Sequence, residues 1–182
     1  MYHVLAVSGS LRTGSANTGL VKMAARLAPT ELMIHVYDEI VDLPYYNADL
    51  DQPEVLADPV RRWRQAVTEA DALLLAAPEY NYGPTAVMKN ALDWASRPLG
   101  AHSIQGKVVA IIGSGGGGGG RKVQAQFNEI IGLLGNTMVT EPEIALVKGS
   151  TFVSADGTTT DPDVEGLVAA RLANLLVALA AR

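Results

Sequence analysis

Serine, threonine, asparagine and arginine crowd the segment Ser8-Gly9-Ser10-Leu11-Arg12-Thr13-Gly14-Ser15-Ala16-Asn17-Thr18. Ser10, Ser15, Asn17 and Thr18 offer side-chain hydrogen-bond donors, and Arg12 offers a forked cation, a set that suits the oxygens of a phosphate monoester. A simple helix cap would need only one such residue. A second segment, Pro78-Glu79-Tyr80-Asn81-Tyr82-Gly83-Pro84, sets two aromatic rings and an amide in a proline-bounded turn. It can flank a planar ring, although turns favour these residue types for their own reasons. The third segment is Gly113-Ser114 followed by the run from Gly115 to Gly120. Backbone without side chains can approach a ligand closely. The run also satisfies G-x-G-x-x-G at Gly113, Gly115 and Gly118, a weak match because consecutive glycines satisfy nearly any glycine pattern.

Other chemistries lack their residues. The chain has no cysteine, which excludes a thiol nucleophile, a disulfide framework and cysteine metal centres. The glycine run is followed by Arg121-Lys122, so the G-K-[ST] ending of a phosphate-binding P-loop is missing. No serine sits in a G-x-S-x-G elbow. His3, His35 and His102 have no partners at metal-ligand spacing. No catalytic side chain and no metal site is expected.

The elements that must position these segments follow from apolar patterning. Residues 3–7 form a short apolar run ending at the first polar segment, and residues 17–27 carry apolar residues at helical spacing. Residues 32–36 read as a second strand and 42–59, rich in Pro, Asp and Asn, as an irregular connection. A helix over 61–70 and a strand over 72–77, apolar on both faces, lead into the tyrosine segment. Then come a helix over 85–96, a strand over 107–112, the glycine run, a helix over 121–134 and a short strand over 137–140. Ala155-Asp156-Gly157 marks a tight turn, and Pro162 opens the last helix.

Strands alternating with helices, with near-continuous apolar strands, indicate a parallel sheet covered on both faces. Five such units in 182 residues suit one flavodoxin-like, doubly wound α/β domain spanning residues 1–182, strand order 2-1-3-4-5. Ligands of such sheets bind beyond the carboxyl ends of the strands, where all three unusual segments fall.

Composition narrows the partners. Fourteen Lys and Arg against nineteen Asp and Glu give a net charge of −5, which disfavours nucleic acid. The longest apolar stretch, residues 167–181, contains Arg171 and Asn174 and is too short and interrupted to span a bilayer. With no leader pattern at Met1-Tyr2-His3-Val4, the expected location is cytoplasmic, without membrane attachment.

The segments together resemble the NADPH-dependent FMN reductase family, the flavodoxin-like group that includes quinone, chromate and azo reductases. The likeness rests on Gly9-Ser10-Leu11-Arg12-x-x-Ser15-x-Asn17, and on Pro78-Glu79-Tyr80-Asn81 continued by Lys89-Asn90-Ala91-Leu92-Asp93-Trp94. It covers essentially the whole chain. It implies that Ser10, Arg12, Ser15, Ala16 and Asn17 hold the FMN phosphate. Pro78, Glu79, Tyr80 and Asn81 would flank the isoalloxazine, and Ser114 and Gly115 would meet its other edge. Asn90 and Asp93 would brace the Pro78–Asn81 loop or a subunit contact. The implied activity is hydride transfer from NAD(P)H through FMN to a small acceptor such as a flavin, quinone, azo compound or metal oxyanion. Two alternatives stand beside it: a flavodoxin-type electron carrier, and a dehydrogenase using the glycine run for a dinucleotide. The helix over 85–96 is apolar around most of its circumference, which predicts a homodimer or homotetramer contact there or an interior helix.

Overall fold

The computed structural model describes residues 1–182. In chain order the elements are β1 (Tyr2–Ser8), α1 (Ala16–Leu27), β2 (Leu32–Tyr37), α2 (Asp58–Glu69), β3 (Ala72–Ala76), β4 (Glu79–Tyr80), β5 (Gly83–Pro84), α3 (Ala86–Ala95), β6 (Val108–Gly115), α4 (Arg121–Leu133), β7 (Thr137–Val139), β8 (Ala145–Val147) and α5 (Pro162–Ala180). The main sheet is parallel with order β2-β1-β3-β6-β7. With the two-residue strands β4 and β5 set aside, this is the expected 2-1-3-4-5 order.

β3 shows why its sequence has no alternation. All five residues are buried. Leu73 and Leu75 pack with α2, α3 and α4 on one face, while Ala72, Leu74 and Ala76 pack with α1 and α5 on the other. A strand clad by helices on both sides has no polar position to offer.

The edge of the sheet departs from the expected single strand. β7 pairs with the first residues of β6, and β8 pairs with its last, Gly113–Gly115. Glycines expected to be loop are therefore strand, held by a partner that the sequence did not announce. The chain between β7 and β8 leaves carbonyls unpaired, and Arg171 of α5 fills them. Its guanidinium, 2% exposed, donates to the carbonyls of Ile111 (2.9 Å), Val139 (2.9 Å), Thr140 (2.7 Å) and Pro142 (3.0 Å). Burial pushes its pKa down to about 10, while Glu141 and Glu143 act the other way. Asn174, one turn along, donates to Glu141 O at 2.8 Å. The two polar residues that interrupt the apolar stretch of α5 thus bridge the strand break.

α3 is an interior helix. Met88, Ala91, Leu92, Trp94 and Ala95 are buried within the one chain, so its apolar circumference needs no second copy to cover it. Asn90 ties down the connection after β2, donating to Pro44 O at 3.0 Å and accepting from Tyr46 N at 2.8 Å. It therefore braces residues 43–46, where the resemblance implied a brace of the Pro78–Asn81 loop or a subunit contact. Asp93 pairs with Lys89 on the same helix. No helix of the chain is long and apolar enough to cross a membrane.

Candidate active site

The segment after β1 enters α1 with Arg12 exposed, Ser10 half-buried and Ser15 and Asn17 buried. Ser15 caps the helix, its hydroxyl accepting from Thr18 N at 3.4 Å. The N–H groups of Ala16 and Asn17, at the first two positions of the helix, have no partner in the chain. They add to the favourable field that a helix start offers an anion. Arg12, nearby and exposed, makes no ion pair.

Asn17 has a second task. Its amide donates to Ser114 O (3.0 Å) and accepts from Ser114 N (2.9 Å), clamping α1 to the end of β6. Its side chain is thereby engaged, and its backbone N–H is what faces outward. Thr18 is turned to Ser8, hydroxyl to hydroxyl at 3.1 Å, and lies off the cleft.

The tyrosine segment is a hairpin. β4 and β5 pair antiparallel around Asn81 and Tyr82, which have φ of +49° and +65°. Two left-handed residues make the tight turn whose twist suits a hairpin. Glu79 fastens it to the next loop: one carboxylate oxygen accepts from Lys122 N (3.1 Å) and Val123 N (3.4 Å) at the start of α4. Gln126 donates to Tyr82 O at 2.8 Å, and the Lys122 ammonium lies 3.9 Å from the Tyr82 ring centre. On the other side, Thr85 donates to Gly9 O at 2.8 Å. The hairpin is thus tied to both neighbouring loops.

The glycine run divides into two kinds. A Cβ on Gly113 would lie 2.7 Å from Ala77 O, and one on Gly119 would lie 2.2 Å from Ala145 O. Gly119 and Gly120 also have φ of +64° and +93°. Around Gly116 and Gly117, by contrast, the chain leaves open space.

These loops enclose a cleft of about 450 Å³. Every expected binding residue lines it except Thr18 and Asn81; Asn81 lines two adjoining depressions. Sequence reasoning missed a fourth wall, Lys148, Ser150 and Thr151, which follows β8. Its only signal was a short apolar triplet before a lysine and a glycine.

Comparison with known proteins decides what family the chain belongs to. The profile of the NADPH-dependent FMN reductase family matches residues 2–151. The chain belongs to the NADPH-dependent FMN reductase family. An NAD(P)H-dependent FMN reductase of Pseudomonas aeruginosa is 36% identical over 172 residues, covering 93% of this chain and 90% of that protein. A 2-hydroxy-1,4-benzoquinone reductase of a Burkholderia species is 36% identical, covering 88% and 86%. Among solved structures, a flavoenzyme NAD(P)H:(acceptor) oxidoreductase of Paracoccus denitrificans superposes with a TM-score of 0.82 at 35% identity, covering 97% and 98%.

Membership in this reductase family favours the enzyme over the electron carrier. The dinucleotide reading of the glycine run also fails on geometry. The start of α4, where such a fold would seat a pyrophosphate, is already occupied by the Glu79 carboxylate.

Proposed function

We infer that the chain is an FMN-dependent NAD(P)H oxidoreductase, which passes hydride from NAD(P)H by way of FMN to a small two-electron acceptor. The observation that carries this is the cleft itself: a capped helix start with free N–H groups and an unpaired arginine, beside two walls of backbone. That donor set fits a phosphate monoester, and the walls leave room for a planar ring system. FMN bound there supplies the redox chemistry, taking up hydride and releasing it to the acceptor.

The residues have separate tasks in this reading. Ser10, Arg12, Ser15 and the N–H groups of Ala16 and Asn17 grip the phosphate. Pro78, Glu79, Tyr80 and Asn81 flank one side of the ring, with Glu79 acting through its hold on α4. Ser114 and Gly115 meet the other edge. With FMN bound, backbone N–H groups of the Pro78–Pro84 and glycine segments would stabilise negative charge on the ring, a contribution of about 2–4 kcal/mol for each well-placed donor. Proton transfer by a side chain is not required, and no catalytic residue is assigned.

The acceptor is a quinone, a free flavin, an azo compound or a metal oxyanion. The hydroxybenzoquinone relative supports the first of these. We further propose a single domain, a cytoplasmic location and a homodimer or homotetramer. Support for assembly comes from a groove of about 430 Å³ beside the cleft, edged by Leu11, Tyr80 and Val87. Leu11 and Tyr80 are more than half exposed there.

Anaerobic titration tests the reading. Adding NADPH or NADH to the flavin-loaded protein is expected to bleach the visible flavin band stoichiometrically, and benzoquinone is expected to restore it. A flavin that stays oxidised until a separate reductase is added would make the protein a carrier.

A further inference from the structure

The wall that follows β8 places a second cation in the cleft. Lys148 is anchored through its backbone: its N–H donates to Gly115 O at 2.8 Å, and its carbonyl accepts from Thr151 N and Thr151 Oγ1, both at 2.9 Å. It has φ of +52°, in the left-handed region that lysine seldom adopts. Such conformations persist where the surroundings enforce them, and they gather at binding sites. Here the enforcement is visible. Gly149 is buried against β6, where a Cβ would lie 2.5 Å from Ser114 Oγ. The chain must turn at Lys148 to make that contact, and the turn sets Lys148 on the cleft with Ser10, Arg12 and Ser15.

The charges of the cleft do not balance within the chain. Neither Lys148 nor Arg12 has a carboxylate within ion-pair distance. The one acidic side chain on the cleft, Glu79, is engaged by α4. A phosphate monoester at neutral pH carries a charge of about −1.5 to −2. One arginine leaves much of that charge uncompensated, and a second cation on the facing wall would meet it.

We propose that Lys148 is the second cation of the phosphate site, and that with Arg12 it makes the cleft select FMN over riboflavin. This rests on the reading of the cleft as an FMN site. It predicts a division of labour: the two cations govern affinity for the phosphorylated flavin, and the loops around the ring govern affinity for flavin as such.

The test is fluorescence titration of flavin-stripped protein with FMN and with riboflavin, using the native chain, Lys148→Gln, Lys148→Arg and Arg12→Gln. Loss of one charge-assisted hydrogen bond corresponds to about tenfold or more in affinity. Lys148→Gln is therefore expected to weaken FMN by about tenfold, to leave riboflavin within about twofold, and to be largely rescued by arginine. Unchanged FMN affinity in Lys148→Gln would overturn the proposal. So would an equal loss for riboflavin, which would put the lysine against the ring. The Arg12→Gln arm separates failures: if it discriminates between the two flavins and Lys148→Gln does not, only the lysine assignment falls. A native protein that binds both flavins equally would remove the phosphate site itself.

Discussion

Gly117 and Gly119 are indistinguishable in sequence and opposite in structure. A Cβ at Gly119 would meet Ala145 O at 2.2 Å in a backbone with φ of +64°. At Gly117 it would meet nothing. Gly119→Ala is expected to cost at least about 1–2 kcal/mol from its left-handed backbone alone, more with the clash, and to lower the melting temperature by several degrees. Gly117→Ala is expected to stay within about 0.5 kcal/mol of the parent. Thermal denaturation of both checks the division of the run. Much of the site was legible residue by residue, because Ser10, Arg12, Ser15 and the Pro78–Asn81 segment are contiguous and carry their own chemistry. What escaped was every role set from far along the chain. Glu79 has a further task that its neighbourhood in sequence does not show: it caps a helix that starts more than forty residues later. Lys148 carried no signal of its own in the sequence, and only the pairing of β8 with β6 brings it to the cleft.

The inner strands β1, β3 and β6 were readable because burial on both faces leaves an unbroken apolar run. β8 was not. Two of its residues are half-buried and Val147 is exposed, and its partner is the glycine tail of β6, which composition marks as loop. The hairpin of β4 and β5 was hidden for a related reason: its turn is Asn81-Tyr82, without the glycine that usually announces two left-handed residues. The break between β7 and β8 depends on α5. Replacing Arg171 with Met would leave the carbonyls of Ile111, Val139, Thr140 and Pro142 without this donor. The expected loss is on the order of 2–4 kcal/mol, reduced by the relief of burying a charge, and urea denaturation measures it. The guanidinium, pushed down to about 10 by burial, stays charged at neutral pH. The unfolded chain holds that proton more tightly, so the cost of burying the charge is full below pH 10 and fades above it. Arg171 therefore adds no slope to stability between about pH 5 and 9.

At the scale of the molecule, sequence argued for assembly through α3, and the fold removes that argument by burying the helix in its own chain. The groove edged by Leu11, Tyr80 and Val87 takes its place as the proposed contact. Light scattering is expected to give two or four times the chain mass of 19.2 kDa, and a mass of one chain would exclude the assembly. The central claim is larger: loops at the ends of β1, β3, β6 and β8 together hold one flavin mononucleotide. The most direct measurement is the ratio of FMN to protein after reconstitution, for the native chain and for the double variant Arg12→Gln/Ser15→Ala. One FMN per native chain and almost none in the variant is the expected result. A native chain that takes up no FMN, or a double variant that keeps its full complement, would contradict it.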